Sequence, residues 1–438
     1  MKKVIAVLLA VAMLLALAAC TGKTDPSDKP DEVGTTAAPV IELKTSYDSV
    51  EAAADEELPA IPAETLASLK VGFIFLHDEN STYDLNFINA AKAAAEKLGL
   101  KDEQIILKTN VPEGQECYEA AEELVDAGCT VVFADSFGHE DFMIESAKNH
   151  PEVQYCHATG TKAHTEGLAN YHNAFASIYE GRYLAGIAAG MKLNEMIKAG
   201  KFTAEEAKIG YVGAFTYAEV MSGYTSFFLG ARSVCPTATM EVTFTGSWYN
   251  EAAEKEAANK LIADNCKLIS QHADSMGAPT ACETAGVPNV SYNGSTQSQC
   301  PNTFIVSSRI DWTPYFVYAI SKAAVGETIP ADWTGTIATG SVLLTDVNTA
   351  AAAEGTQEAI DKAKAEMVAG TLHVYNTANF TVNGQTLTSY GADVDTDKDF
   401  TPDTEVIRDG YVHESDARSA PYFSLEIDGI TLLDRNYG

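Results

Sequence analysis

The feature that most constrains the fold is an alternation of short apolar runs with amphipathic helical stretches, made twice along the chain. The first round opens at residues 71–76 (VGFIFL), a continuous run of branched and aromatic side chains. Such a run reads as a strand buried on both faces. The helical stretch 84–99 follows, with Leu85, Ile88, Ala91, Ala95 and Leu98 on one face and Gly99 at its end. QIILKTN, TVVFADS and VQYCHATG are the next strands, and EGQECYEAAEELVDAG and HEDFMIESAKNH the intervening helices. A small-residue-rich helix over 177–193 leads into the second round: strands KIGYVGAF, TMEVTFTGSWY, KLISQ, NVSYN and TFIVSS, with helices between them. Strictly alternating strands and helices require a parallel sheet covered on both faces. The expected fold class is therefore α/β: two doubly wound parallel-sheet lobes joined by a hinge, since 438 residues exceed one ordinary core.

Lobe 1 is expected over 66–175 plus 308–328, the helix from Trp312 to Gly326 crossing back to it. Lobe 2 takes 176–307 plus 329–438, ending in a β-rich tail. The pairs Asn383-Gly384, Asp409-Gly410 and Asp428-Gly429 are hairpin-type turn signals in that tail.

The N-terminus has Lys2 and Lys3, an apolar run from Val4 to Ala19, and Leu17-Ala18-Ala19 directly before Cys20. This is the pattern of a lipoprotein signal peptide over 1–19, cleaved so that Cys20 carries lipid, palmitate included. Residues 20–65, polar and acidic without periodicity, read as an acylated cysteine and a flexible tether. The expected location is the outer face of the cell membrane, or the periplasmic side where there are two membranes.

With 46% apolar and 21% charged residues the chain is globular, and a net charge of −32 opposes partnership with nucleic acid. Seven cysteines besides Cys20 show no CxxC spacing, which removes zinc-ribbon and thioredoxin readings. They read as small core residues, with one or two disulfides permitted outside the cell. His150, His157, His164 and His172 are spaced by seven or eight and share no helix or strand face. The run Asp393, Asp395, Asp397, Asp399 alternates like a calcium loop, but Lys398 stands where the sharp-turn glycine belongs and Thr404 where the closing glutamate belongs. No metal and no cofactor are expected. There is no GxSxG, HExxH or GxxxxGK[ST] motif, so the chain reads as a binding protein and not an enzyme.

In open α/β sheets ligands sit beyond the carboxyl ends of the strands. Those ends carry Asp78, Asn80, Tyr83, Asp84, Ser136, Phe137, Trp248, Asn250, Asp274, Arg309 and Asp311. Aromatic faces suit a planar ligand, and carboxylates and amides suit a polar edge or a polyol.

In order and spacing these segments resemble the basic membrane protein (Bmp/Med) family, the purine-nucleoside-binding lipoproteins of ABC importers. The family loop after strand one, roughly D-x-S-F-N, is matched by Ser81-Thr82-Tyr83-Asp84. Its small-residue helix is matched by Tyr183-Leu184-Ala185-Gly186, its Gly-Ser-Phe-x-Asp by Gly246-Ser247-Trp248-Tyr249-Asn250, and its S-x-x-K-x-x-D by Ser307-Ser308-Arg309-Ile310-Asp311. The resemblance implies a type I periplasmic-binding-protein fold, with Tyr83 and Trp248 as stacking faces. It also implies a monomer that takes a nucleoside or similar small planar ligand and meets ABC permease subunits. Asp84 for an amide, Asn250 for a carboxylate and Arg309 for a lysine depart from the family pattern. A sugar-binding lipoprotein of the same fold, or a ligand-sensing receptor for a membrane signalling partner, are the alternatives.

Overall fold

The computed structural model describes residues 42–394 and 401–435. Cys20, the signal peptide and Asp395, Asp397 and Asp399 lie outside the described residues. A short helix α1 (Ala63–Ser68) precedes lobe 1, which is built from β1 (Val71–Ile74), α2 (Thr82–Leu98), β2 (Ile105–Lys108), α3 (Gln115–Asp126), β3 (Val131–Ala134), α4 (Glu140–Asn149), β4 (Gln154–Ala158), a single turn α5 (Ala163–Glu166) and β5 (Tyr171–Ala176). Lobe 2 follows as α6 (Ile178–Lys198), β6 (Lys208–Gly213), α7 (Ala218–Val234), β7 (Thr239–Phe244), α8 (Glu251–Ala263), β8 (Leu268–His272), α9 (Gly277–Ala285), β9 (Asn289–Tyr292) and β10 (Phe304–Ile310). The chain then returns through α10 (Thr313–Val325) and β11 (Asp332–Gly335) before β12 (Val342–Leu344) and α11 (Thr356–Val368). The tail adds β13 (Gly391–Ala392), β14 (Thr404–Glu405), β15 (Ile407–Arg408), β16 (Tyr411–Val412) and β17 (Ile430–Leu432).

Both lobes are wound alike. The first sheet has the order β11-β5-β4-β3-β1-β2 and the second β12-β10-β9-β8-β6-β7-β17. Within these two sheets every pairing is parallel except that of β12 with β10. Strand direction of winding reverses between β1 and β3 in one lobe and between β6 and β8 in the other, so each lobe opens a crevice there. Apolar layers cover both faces: Ile74, Val132, Leu124 and Met143 on one side of the first sheet, and Val212, Leu261, Ile269 and Ala278 on one side of the second. β1 and β3 are buried at all four positions, as continuous apolar runs require.

Helices α6 and α7 cross at backbone contact. A Cβ on Gly186 would overlap the Phe227 carbonyl, and one on Gly230 the Tyr183 carbonyl. The Tyr183-Leu184-Ala185-Gly186 segment thus has a packing reason: only hydrogen at 186 allows this approach.

Four expectations change. β11 pairs with β5, so the return to lobe 1 runs through Gly335 and not 328. β5 itself interrupts its apolar pattern with His172 and Asn173, both buried, and escapes a hydrophobicity reading. Residues 43–65 are not a free tether. Val50 accepts from Thr334 N at 2.9 Å and Ala52 N donates to Thr334 at 2.8 Å, covering the free edge of β11, while Lys44 N donates to Asp403 at 2.7 Å. Of the turn signals, Asp409-Gly410 joins β15 to β16 and Asn383-Gly384 closes a Val382–Gln385 bridge. Gly429 instead leads into β17, which lies parallel to β7. All seven described cysteines are free and buried.

Candidate functional site

The two crevices face each other and form one narrow cleft. Lobe 1 supplies Leu76 and His77 beyond β1, Tyr83 and Asp84 from the first turn of α2, Ser136 and Phe137 beyond β3, and Thr159 beyond β4. Lobe 2 supplies Glu219 from α7, Trp248 beyond β7, His272 and Asp274 at and beyond β8, and Tyr292 ending β9. The lobes touch across the mouth. Thr82 N and Oγ1 both donate to the Asp274 carbonyl at 3.2 Å, and Asn86 Nδ2 to the Asn293 carbonyl at 2.9 Å. Rings of Phe137 and Tyr217, and of His77 and Tyr249, meet at 5.4 Å.

Asp84 is fixed by its own helix start. Ser81 caps α2 by accepting from Asp84 N at 3.2 Å and donates its hydroxyl to Asp84 Oδ2 at 2.5 Å. His77 N donates to Asp84 Oδ1 at 2.7 Å. Burial alone would raise this carboxyl, but the bonds from His77 and Ser81 outweigh it and hold Asp84 below the usual range, so it is ionised. Its neighbour Asp135 is the reverse: burial, then the charge on Asp84, push it well up. Asp274 is likewise pushed well up by burial and then by Asp84, and Asn293 Nδ2 donates to it at 3.0 Å. The cleft therefore sets two carboxyls of opposite tendency, Asp84 held down and Asp274 pushed up, on its facing walls.

Other groups complete the walls. Tyr83 OH donates to the Asp135 carbonyl at 2.7 Å, which locks its ring. Trp248 packs edge-on to Phe215 at 4.9 Å. Burial lowers His272, keeping the imidazole neutral 3.3 Å from Glu219. Thr159 holds φ at 69°, a backbone state that a β-branched residue rarely accepts, and its buried hydroxyl has no protein partner. His272 Nδ1 and Tyr292 OH are also buried without a partner. Behind Tyr292 lies Arg182, fully buried, its guanidinium 5.0 Å from the Tyr292 ring.

Of the residues singled out in the sequence, Tyr83, Asp84, Ser136, Phe137, Trp248 and Asp274 line this cleft. Ser136 has its hydroxyl committed to Glu113 at 2.5 Å. The other five are elsewhere. Asp78 binds Asn80 N and Nδ2 in an exposed turn. Asn250 caps α8, accepting from Ala253 N at 3.0 Å. Asp311 accepts from Thr313 N at 2.9 Å and, with Arg309, borders a separate groove against α2. β10 lies two strands from the switch point, so its end does not reach the crevice. Thr159, Glu219 and Tyr292 were not selected from the sequence. The strand-end rule applied to β4 and β9 would have found Thr159 and Tyr292.

The four cited histidines do not converge. His150 pairs with Glu122, His157 with the Ser136 carbonyl, His164 with Asp332 and His172 with Gln154. Among the described residues no cluster of three His, Cys, Asp or Glu is placed to hold a metal, and no helix is long and apolar enough to cross a membrane.

Comparison with known proteins gives the same frame. The Bmp family, described as ABC transporter substrate-binding protein PnrA-like, matches residues 74–377. A purine-binding protein of Brucella abortus is 33% identical over 57% of this chain and 67% of its own length. A Haloferax volcanii protein, provisionally named an ABC transporter glucose-binding protein, is 35% identical over 44% of this chain and 46% of its own. The solved ABC transporter solute-binding protein of Conexibacter woesei superposes with a TM-score of 0.57 at 17% identity, over 70% of this chain and 98% of that one. That likeness concerns the fold alone.

Proposed function

The chain belongs to the PnrA-like family of ABC transporter substrate-binding proteins, and from that premise we propose that its interlobe cleft captures a purine, as base or nucleoside, for delivery to a membrane permease. The observation that carries this reading is a cleft with aromatic walls in which Asp274 sits beside buried polar atoms that no protein group meets. A purine edge presents N–H donors beside ring-nitrogen acceptors, so it needs one acceptor and one donor from the protein. Trp248, Phe137 and Tyr292 offer faces for its ring. The unpartnered Thr159, His272 and Tyr292 atoms add polar groups that a ligand's remaining edge can satisfy. The Brucella relative, named for purine binding, supports the same ligand class.

The lipid anchor at Cys20 belongs to this proposal. It would tether a monomeric receptor beside its permease, and closure of the lobes would create the surface the permease reads. The test is a thermal-shift series of the purified protein with adenine, inosine and glucose. A ligand at 100 times its Kd adds about 2.7 kcal/mol, or about 3 °C for a body of this size. A shift with adenine or inosine supports the reading; a shift with glucose alone contradicts it.

A further inference from the structure

The first turn of α2 carries two sets of side chains. Tyr83 and Asp84 line the cleft, whereas Thr82 and Asn86, one helical turn apart, border a separate groove against lobe 2. Lobe 2 meets that second face with the residues that follow β8 and β9. The Asp274 carbonyl accepts from Thr82, and a Cβ on Gly294 would stand 3.3 Å from Thr82 Cγ2, so the seam is tight.

Asn86 is buried in this seam, and its own helix aims its amide. Its Nδ2 donates to the Thr82 carbonyl at 3.1 Å, one turn back, and across the lobe boundary to the Asn293 carbonyl at 2.9 Å. A buried amide is costly unless its N–H groups are met. Here the second is met by the other lobe. Asn293 directly follows β9, is buried, and donates its main-chain N–H to the Ser308 carbonyl at 2.9 Å. Its own Nδ2 donates to Asp274 Oδ1 at 3.0 Å. A chain of buried hydrogen bonds thus runs from lobe 1, through Asn293, to a carboxyl that lines the cleft.

Resting on the reading of the cleft as a ligand site, we propose that Asn86 is a positioning residue for Asp274, acting through Asn293 across the lobe boundary. Asn86 is not part of the cleft lining. When the lobes meet, it takes the Asn293 carbonyl, fixes that residue's main chain and so sets the Asn293 amide against Asp274. Closure and the placing of the recognising carboxyl are then one event. A ligand that engages Asp274 favours the closed state in return, because such coupling is reciprocal. The residue type at 293 fits this role. Its φ of 66° is a left-handed state that asparagine accepts more readily than most residues. Glycine would accept the same backbone but lack the bond to Asp274.

The experiment is a double-mutant cycle on the full-length protein: Asn86→Ala, Asn293→Gly and their combination, each titrated with inosine and with adenine. Each single variant is expected to weaken binding about 2- to 12-fold, the range for one neutral hydrogen bond. The combination should bind no more weakly than the worse single variant, since both substitutions cut one chain. Binding that either substitution leaves unchanged overturns the proposal. So do losses that multiply in the combination, the result of two independent structural contributions. Should the parent bind neither purine, the purine reading fails by itself, and small-angle scattering of the unliganded proteins decides for the latch. A larger radius of gyration in Asn86→Ala than in the parent upholds the cross-lobe bond, and equal radii overturn it. Alanine suits a helix and glycine suits the backbone at 293, so folded variants are expected; thermal unfolding checks this independently of binding.

Discussion

Arg182 offers the most demanding test of the packing argument behind the cleft. It is fully buried on α6, and no carboxylate is among its partners. Its Nη2 donates to Tyr211 OH at 2.9 Å and Ser270 Oγ at 3.0 Å. Longer bonds of 3.3 to 3.4 Å reach Gln271, Ser291 and Ser308. The guanidinium also lies 5.0 Å from the Phe227 and Tyr292 rings. Replacing it by methionine keeps an apolar stem in place and removes the charge. The two short bonds are charge-assisted, at about 1.5–3 kcal/mol each. Against that loss, the variant no longer buries a cation, which returns several kcal/mol in such sites. The hydroxyls can re-pair locally, whereas the Gln271 and Ser291 carbonyls lose a donor. The net expectation is a destabilisation of about 2–4 kcal/mol, or a fall in Tm of about 3–5 °C. Calorimetric unfolding of both proteins at neutral pH measures it. Because Arg182 stands behind Tyr292, ligand affinity should fall as well. An Arg182→Met protein that melts at or above the parent temperature would refute the reasoning, since desolvation would then outweigh every bond counted.

Trp248→Ala should weaken purine binding about 5- to 150-fold, the range for loss of one stacking face at about 1–3 kcal/mol, read by titration calorimetry. Asp274 donates only while protonated, so purine affinity should decline as pH rises and the raised carboxyl ionises. Asp274→Asn keeps a donor and should flatten that decline. Glu180, raised to about 8 in the folded state, contributes stability that is full below the unfolded carboxylate range and is lost as pH climbs to about 8. Glu180→Gln should therefore narrow the difference in Tm between pH 5 and pH 9. Gly186→Ala should cost about 1–3 kcal/mol or more, because its Cβ meets the Phe227 backbone and not a movable side chain; thermal melts check this.

How much was legible in the sequence follows from what each residue's environment leaves in the pattern. Buried parallel strands such as β1 and β3 are apolar throughout, and the helices between them show a face, so the two α/β lobes and their hinge could be read directly. β5 could not, because His172 and Asn173 satisfy their polar atoms inside the fold and break the apolar run. The covering of β11 by residues 50–52 rests on backbone pairing, which leaves no side-chain signature. At the site, Tyr83, Asp84 and Asp274 were accessible because they follow β1 and β8, which flank the switch points, and Trp248 because it follows β7, one strand away. Arg309 and Asp311 stand at a strand end as well, but one at a distance from the crevice, and strand order is not written locally. Glu219 was missed because it enters from a helix start.

The central claim is that the cleft between the two lobes holds a purine against Asp84, Asp274 and Trp248. Its most direct test is calorimetric titration of the purified protein and of Trp248→Ala with adenine, inosine and glucose. The account predicts saturable, one-to-one binding of adenine or inosine, clear weakening in Trp248→Ala, and no heat from glucose. Glucose binding without purine binding, or purine binding untouched by Trp248→Ala, would contradict it.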